Sequence, residues 1–163
     1  MREYVSECLV LSREPVGEFD ARFSLYAKRY GKLVAKSRSV RKITSKLAGH
    51  LEPGNIVFAR FVEKTGLQVV DALKTSQSGI ALADLARLDV ILAEREPDLG
   101  LWNVLQERFA WPRVLAVLGW DPGAARCSLC DAPRPVSFRL SNQEFFCGAC
   151  SPRIFSPVEI ITV

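Results

Sequence analysis

Residues 21–38 read ARFSLYAKRYGKLVAKSR. Ala21, Phe23, Leu25 and Ala27 alternate with Arg22, Ser24, Tyr26 and Lys28, and a period of two marks a half-buried strand. Tyr30-Gly31 reads as a tight reversal, because glycine reaches positive φ without steric cost. Leu33 and Ala35 then return on the apolar side, with Lys32, Lys36 and Arg38 opposite and Val34 among them. The segment predicts a β-hairpin with an apolar inside and a basic, aromatic outside.

Reading outward, Glu3 to Leu11 is a preceding strand, and Pro15 with Gly17 marks the loop between. Beyond the hairpin the period changes. Ile43, Leu47 and Leu51 recur every four residues, which predicts a short amphipathic helix over 41–51 that Pro53, Gly54 and Asn55 stop. Ile56 to Val62 alternates again, Lys64-Thr65-Gly66 turns the chain, and Leu67 to Leu73 pairs back. Three strands, a helix and two strands within about 75 residues suit a five-stranded OB barrel, with an SH3-like barrel as the structural rival. Thr75 to Gly79 reads as a polar linker. Residues 81–96, ALADLARLDVILAERE, predict a helix with Leu82, Leu85, Leu88 and Leu92 as its apolar stripe, ended by Pro97. Asp98 suits the cap of a second helix to Phe109, and Pro112 and Gly119 suit the start and stop of a third. The expected class is α+β: an OB-fold barrel at 1–75, a small helical domain at 80–126, and a four-cysteine segment with the C-terminal tail at 127–163.

Of the 163 residues, 48% are hydrophobic and 25% charged, a globular balance that excludes wholesale disorder. No apolar run approaches the ~18 residues of a membrane span, and the stretch around Arg2, Glu3 and Glu7 lacks the marks of a secretory signal. No membrane partner and a cytoplasmic setting are expected. Charge is uneven. Residues 1–75 carry fourteen Lys/Arg against eight Asp/Glu, whereas residues 76–163 carry eight arginines, no lysine and ten acids. Nine of the cations lie between Arg22 and Lys46, and no acid occurs between Asp20 and Glu52. A solvated face is one reading of such a block; a phosphate-binding surface is the sharper one. It makes Arg22, Lys28, Arg29, Lys32, Lys36, Arg38, Arg41, Lys42 and Lys46 candidate contacts to a nucleic-acid backbone, with the Tyr26 ring offered for base stacking.

Cys127-Ser-Leu-Cys130 and Cys147-Gly-Ala-Cys150 stand 16 residues apart. Each pair can place two thiolates on one tight turn, and a connecting ribbon can bring the pairs together tetrahedrally, so the spacing points to one structural Zn2+ per chain. A redox pair or free thiols are the alternative. Val136, Phe138 and Leu140 alternate in the connecting segment, Ser141-Asn142 suits its turn, and Gly148 is expected to allow close backbone approach. Four thiolates leave no position for water, which argues against catalysis there. His50-Leu51-Glu52 spells the H-x-E of zinc deaminases, but no proline precedes either CxxC. P-loop, GxGxxG, GxSxG and HExxH motifs are absent, so no enzyme is expected. Cys8 lies in an apolar strand and reads as an inert core residue.

Residues 26–55, YAKRYGKLVAKSRSVRKITSKLAGHLEPGN, together with 9–20, LVLSREPVGEFD, resemble the N-terminal part of the RecO family of bacterial recombination mediators. LGWDPGAARCSLC at 118–130 and CGAC at 147–150 resemble the family's zinc region. The resemblance implies an N-terminal OB domain, a helical domain and a structural zinc. It also implies binding of single- and double-stranded DNA, strand annealing, and partnership with RecR and single-stranded DNA-binding protein that ends indirectly in RecA loading. By position, Lys28, Lys32, Lys36, Arg38, Arg41 and Lys42 match the family's basic hairpin and the segment after it. The four cysteines of the two pairs match its zinc ligands. From the residues alone, two other functions stay open: a zinc-containing protein-interaction module, and an RNA-binding OB–zinc protein of translation or transcription.

Overall fold

The computed structural model describes residues 1–153 and 159–163 and divides into two units, Met1–Leu99 and Gly100–Val163. The first is built on five strands: β1 (Arg2–Val16), β2 (Asp20–Ala27), β3 (Gly31–Ser37), β4 (Asn55–Glu63) and β5 (Leu67–Gln77). They close in the order β1-β2-β3-β5-β4, with β4 returning to β1. This is the OB barrel, and it has no open sheet edge. Neighbours pair antiparallel except β3 and β5, which touch in parallel through Lys36 and Gln68.

The expected alternation sets the inner wall. Ala21, Phe23, Leu25 and Ala27 of β2 and Leu33 and Ala35 of β3 enter one core with Cys8, Val10, Val57, Phe61 and Val69. Each large side chain buried there contributes about 2–3 kcal/mol. The hairpin turn is Lys28-Arg29-Tyr30, with Gly31 at φ 69° opposite Ala27. A three-residue loop closed by a left-handed residue joins twisted strands without splaying them. β5 continues through Thr75 to Gln77, which pairs with Asn55, so most of the expected linker is strand.

The helix expected over 41–51 does not form. The segment is a run of turns with single three-residue bonds, Lys42 N–H to Ser39 O and Ser45 N–H to Lys42 O, and one four-residue bond, Leu51 N–H to Leu47 O. Ser39 is left-handed at φ 55°. Ile43, Thr44, Ser45 and Gly49 are poor helix formers, and Lys42 and Lys46 would repel at i,i+4. Val40 and Leu51 are nonetheless fully buried in the barrel core, while Ile43 is exposed.

α1 (Leu82–Ile91) packs on β1 and buries Leu85 and Leu88, while Leu82 at the head of the expected stripe is exposed. It stops five residues before the expected end. Leu92 is extended, and the chain then crosses the hairpin, where Glu94 bridges to Lys32 and Arg95 N–H donates to Lys32 O at 2.9 Å. Pro97 disfavours a helical Glu96, and covering the hairpin replaces the missing helical bonds.

In the second unit, α2 (Leu99–Gln106) buries Leu101, Trp102, Val104 and Leu105, and α3 (Trp111–Val117) buries Trp111, Val114 and Leu115. Gly119 at φ 95° ends α3: its N–H reaches Ala116 O, and Trp120 N–H reaches Leu115 O at 2.8 Å. β6 (Ser137–Arg139) is the middle strand of a small sheet between β7 (Glu144–Phe146) and β8 (Ile160–Thr162). Phe138 on β6 packs against the rings of Trp120 and Phe145 and, with Ile161, is buried. The end of the apolar tail thus forms a strand; its residues 154–158 lie outside the described ones.

Candidate nucleic-acid interface and metal centre

β3 and β5 share a single paired position, so a groove runs along their seam. It holds about 520 Å3 and is lined by Asp20, Arg22, Val34, Ala35, Lys36 and Arg38 on the hairpin side and by Thr65 to Gln68 on the other; the Asp20 carboxylate accepts from Ser39 N–H at 2.8 Å. Lys36 and Arg38 are exposed, and neither has an acidic partner among the described residues. Arg29, Lys42 and Lys46 are also exposed, with no acidic partner among the described residues; Lys42 Nζ stands 5.3 Å from the Phe19 ring centre. Arg41 is exposed and donates to Gly17 O at 3.0 Å. These cations retain charge for a polyanion.

The other candidates are engaged. Arg22 is paired with Glu14, and Lys28 with Glu7 at 3.1 Å. Both pairs are exposed, so they weaken rather than cancel the positive field. Lys32 and Tyr26 depart from the expected outer face. The Lys32 side chain is 12% exposed, donates to Asp89 O at 2.5 Å and stands 3.4 Å from the Asp89 carboxylate. The same carboxylate accepts from Ser24 at 2.5 Å and Ser12 at 2.7 Å. Tyr26 is 1% exposed, and its hydroxyl accepts from Asp98 N–H at 3.0 Å. Burial first of all raises its pKa. α1 and the 92–98 segment therefore cover the part of the hairpin face that carries Ser24, Tyr26 and Lys32, and Tyr26 offers no ring for stacking.

Sequence reasoning missed the opposite bank, Thr65 to Gln68, because only the barrel's closure brings β5 beside β3. It also missed Tyr4 and Arg95. Tyr4 donates to Glu63 Oε2 at 2.5 Å, and Arg95 donates to Glu63 Oε1 at 2.7 Å. The Tyr4 hydroxyl first, then the Arg95 guanidinium, hold the Glu63 carboxyl below its ordinary range. Cys8 is wholly buried, and burial pushes its thiol far up, as befits an inert core residue. His50 Nδ1 accepts from Lys74 N–H at 3.0 Å.

In the second unit the Sγ atoms of Cys127, Cys130, Cys147 and Cys150 all lie within 4.8 Å of one another, and those of Cys130 and Cys147 are 3.6 Å apart. Sulfurs held tetrahedrally at a Zn–S distance of ~2.3 Å stand ~3.8 Å apart, so the donor set fits a tetrahedral soft-metal site. Both turns are built locally. Asp131, at φ 57°, donates its N–H to Cys127 O at 2.9 Å, and Ser151 N–H reaches Cys147 O at 2.9 Å. Backbone N–H groups, that of Cys147 first, pull the Cys127 thiol down to about 6. The neighbouring Cys130 and Cys147 side chains push Cys150 up to about 12. Four thiolates this close require a cation to coexist. Gly148 does not serve a close approach: a Cβ there would meet only Val136 Cγ2, at 3.9 Å.

Residues 1–78 match the family model described as "Recombination protein O N terminal". Over most of its length the chain is also similar to proteins named DNA repair protein RecO. That of Pelotomaculum thermopropionicum is 25% identical, covering 98% of this chain and 73% of the relative. That of Bifidobacterium adolescentis is 28% identical over 85% and 67%, and that of Thermobifida fusca 26% over 93% and 75%. A closed OB barrel lies over the matched residues, and the similarity to the Pelotomaculum relative covers nearly the whole chain: residues 1–78 resemble the RecO N-terminal domain, and the chain as a whole is similar to DNA repair protein RecO.

Proposed function

We propose that this chain is a DNA-binding protein of recombinational repair without catalytic chemistry of its own. The observation that carries the reading is the β3–β5 groove, where Lys36 and Arg38 have no acidic partner among the described residues and stand beside the turn after β4. OB barrels take single strands across this face. Cations there neutralise phosphates and release counterions, giving affinity with little sequence preference. Binding of that kind leaves base edges free to pair, so the same groove suits annealing of complementary strands. Binding of single- and double-stranded DNA, cooperation with RecR and single-stranded DNA-binding protein, and indirect RecA loading belong to the same proposal and rest on the family. The four cysteines hold Zn2+ in this reading, since an all-thiolate tetrahedral site favours that ion, and its work is to fold the segment that carries it.

Binding of labelled oligonucleotides across a salt series tests the assignment. Reversing charge at Lys36, Arg38, Arg41 and Lys42 should weaken binding to every sequence and reduce the salt slope by about one for each phosphate left without its cation. Unchanged affinity and slope would place the site elsewhere. An RNA competitor of equal length that displaces DNA completely would favour the RNA-binding alternative.

A further inference from the structure

The groove leads to a cavity whose chemistry differs from its own. About 200 Å3 of space opens at the barrel mouth between Tyr4, Tyr30, Leu33 and Leu67, with Arg29 and Arg95 at its rim. Leu67 lines both the groove and the cavity. A strand held on the groove cations is therefore carried past this opening. The two tyrosine rings meet edge to face, 5.2 Å apart at 77°, so the cavity offers both a ring face and a ring edge.

The rim is held in place. Glu63 fixes the Tyr4 hydroxyl on one oxygen and the Arg95 guanidinium on the other. Arg95 takes a left-handed backbone at φ 59°, a conformation that costs an arginine stability, and its N–H is tied to Lys32 O. The Arg29 N–H is tied to Ser6 Oγ at 3.3 Å, while its guanidinium has no acidic partner among the described residues. With Glu63 counted against Arg95, the rim keeps the one positive charge of Arg29, enough to attract a phosphate but not a row of them.

We propose that this cavity takes a single unstacked nucleobase from the strand lying in the groove, with Tyr4 and Tyr30 against the base and Arg29 on its phosphate. The inference rests on the DNA-binding reading above and adds to it a base-dependent interaction that the cationic groove alone does not supply. An apolar cavity open to solvent also suits the side chain of a partner peptide. Continuity with the cationic groove favours the nucleobase.

Two experiments on the full chain separate this proposal from the groove reading. An oligothymidylate carrying one 5-iodouracil is photocrosslinked and the attached peptide mapped: attachment at Tyr4 or Tyr30 is expected, and attachment only at other residues overturns the proposal. Affinity for oligothymidylate is then compared with that for an abasic deoxyribose-phosphate chain of equal length across salt. The wild-type protein should prefer thymidine by about 5- to 150-fold, the range one stacked base contributes. Tyr30→Leu should lose that preference and keep the abasic affinity and salt slope. Arg29→Ala leaves both rings in place, so it should keep the preference and lose part of the abasic affinity, which keeps the test open if Tyr30→Leu does not fold. Equal wild-type affinities with a steep salt slope overturn the base pocket and leave the groove standing. A preference for thymidine that survives Tyr30→Leu, or a variant that loses only the binding of an acidic peptide, overturns it as well. Absence of salt-dependent binding to either chain overturns the groove reading and this proposal together.

Discussion

Asp89 decides how much of the basic hairpin faces solvent. Its carboxylate gathers two hydroxyls, Ser12 and Ser24, and the Lys32 ammonium, and its side chain is 25% exposed. In water such a pair would be worth little, but Lys32 has surrendered most of its hydration and depends on Asp89 for both its hydrogen bond and its ion pair. Asp89→Ala leaves two hydroxyls without their acceptor and the Lys32 ammonium with only the residue-89 carbonyl, and should destabilise the first unit by about 2–3 kcal/mol. Asp89→Asn keeps one acceptor oxygen for a hydroxyl and loses the ion pair, so it should cost less. Urea unfolding of the two variants checks the order; equal costs would mean that the hydroxyl bonds contribute nothing measurable.

At the scale of elements, the crossing of the hairpin by residues 92–98 depends on Gly31. A Cβ there would fall inside the backbone of Glu96, and the position is left-handed at φ 69°. Gly31→Ala therefore meets two obstacles at once and should cost at least ~2 kcal/mol, read as a lower urea midpoint with little change in slope. A neutral result would show that the 92–98 segment lifts away without cost. The sequence makes the strands of this hairpin readable, because period two is a local property of residues 21–38. It hides their cover, because Ser24, Tyr26 and Lys32 look like a solvent face until Asp89 and Asp98 arrive, 57 to 72 residues later in the chain. The turns at 41–51 are misread for the opposite reason. Ile43, Leu47 and Leu51 carry a helical spacing, yet only Leu51 is fully buried, and poor helix formers between them leave nothing to repay nucleation. The cysteine pairs are legible because each turn is made within four residues and ligand chemistry fixes the spacing. The groove is half legible: Lys36 and Arg38 announce one bank, while its far bank exists only once β5 has closed on β3.

At the scale of the molecule, the two units draw their stability from different sources. The first has a continuous barrel core of buried side chains. The four-cysteine segment has short strands and a small cluster around Cys127, Phe146 and Cys150, too little apolar material to hold a fold alone. Its sulfurs are already gathered within bonding reach of one ion, so metal affinity there is folding free energy. Removing the metal with a chelator, or weakening the site with Cys130→Ser, should release the segment around β6. Trp120 reports this directly, because its ring packs on Phe138 at 5.5 Å, and its fluorescence should shift towards that of a solvated indole. The groove proposed for DNA lies wholly within the first unit, where Lys36, Arg38 and the 65–68 turn owe nothing to the thiolates. Chelation should therefore release one metal per chain and move the Trp120 signal while the salt slope of oligonucleotide binding stays the same. A slope that falls in step with metal release would mean that the second unit neutralises phosphates of its own, and the cationic surface would then have to be redrawn to include arginines beyond residue 100.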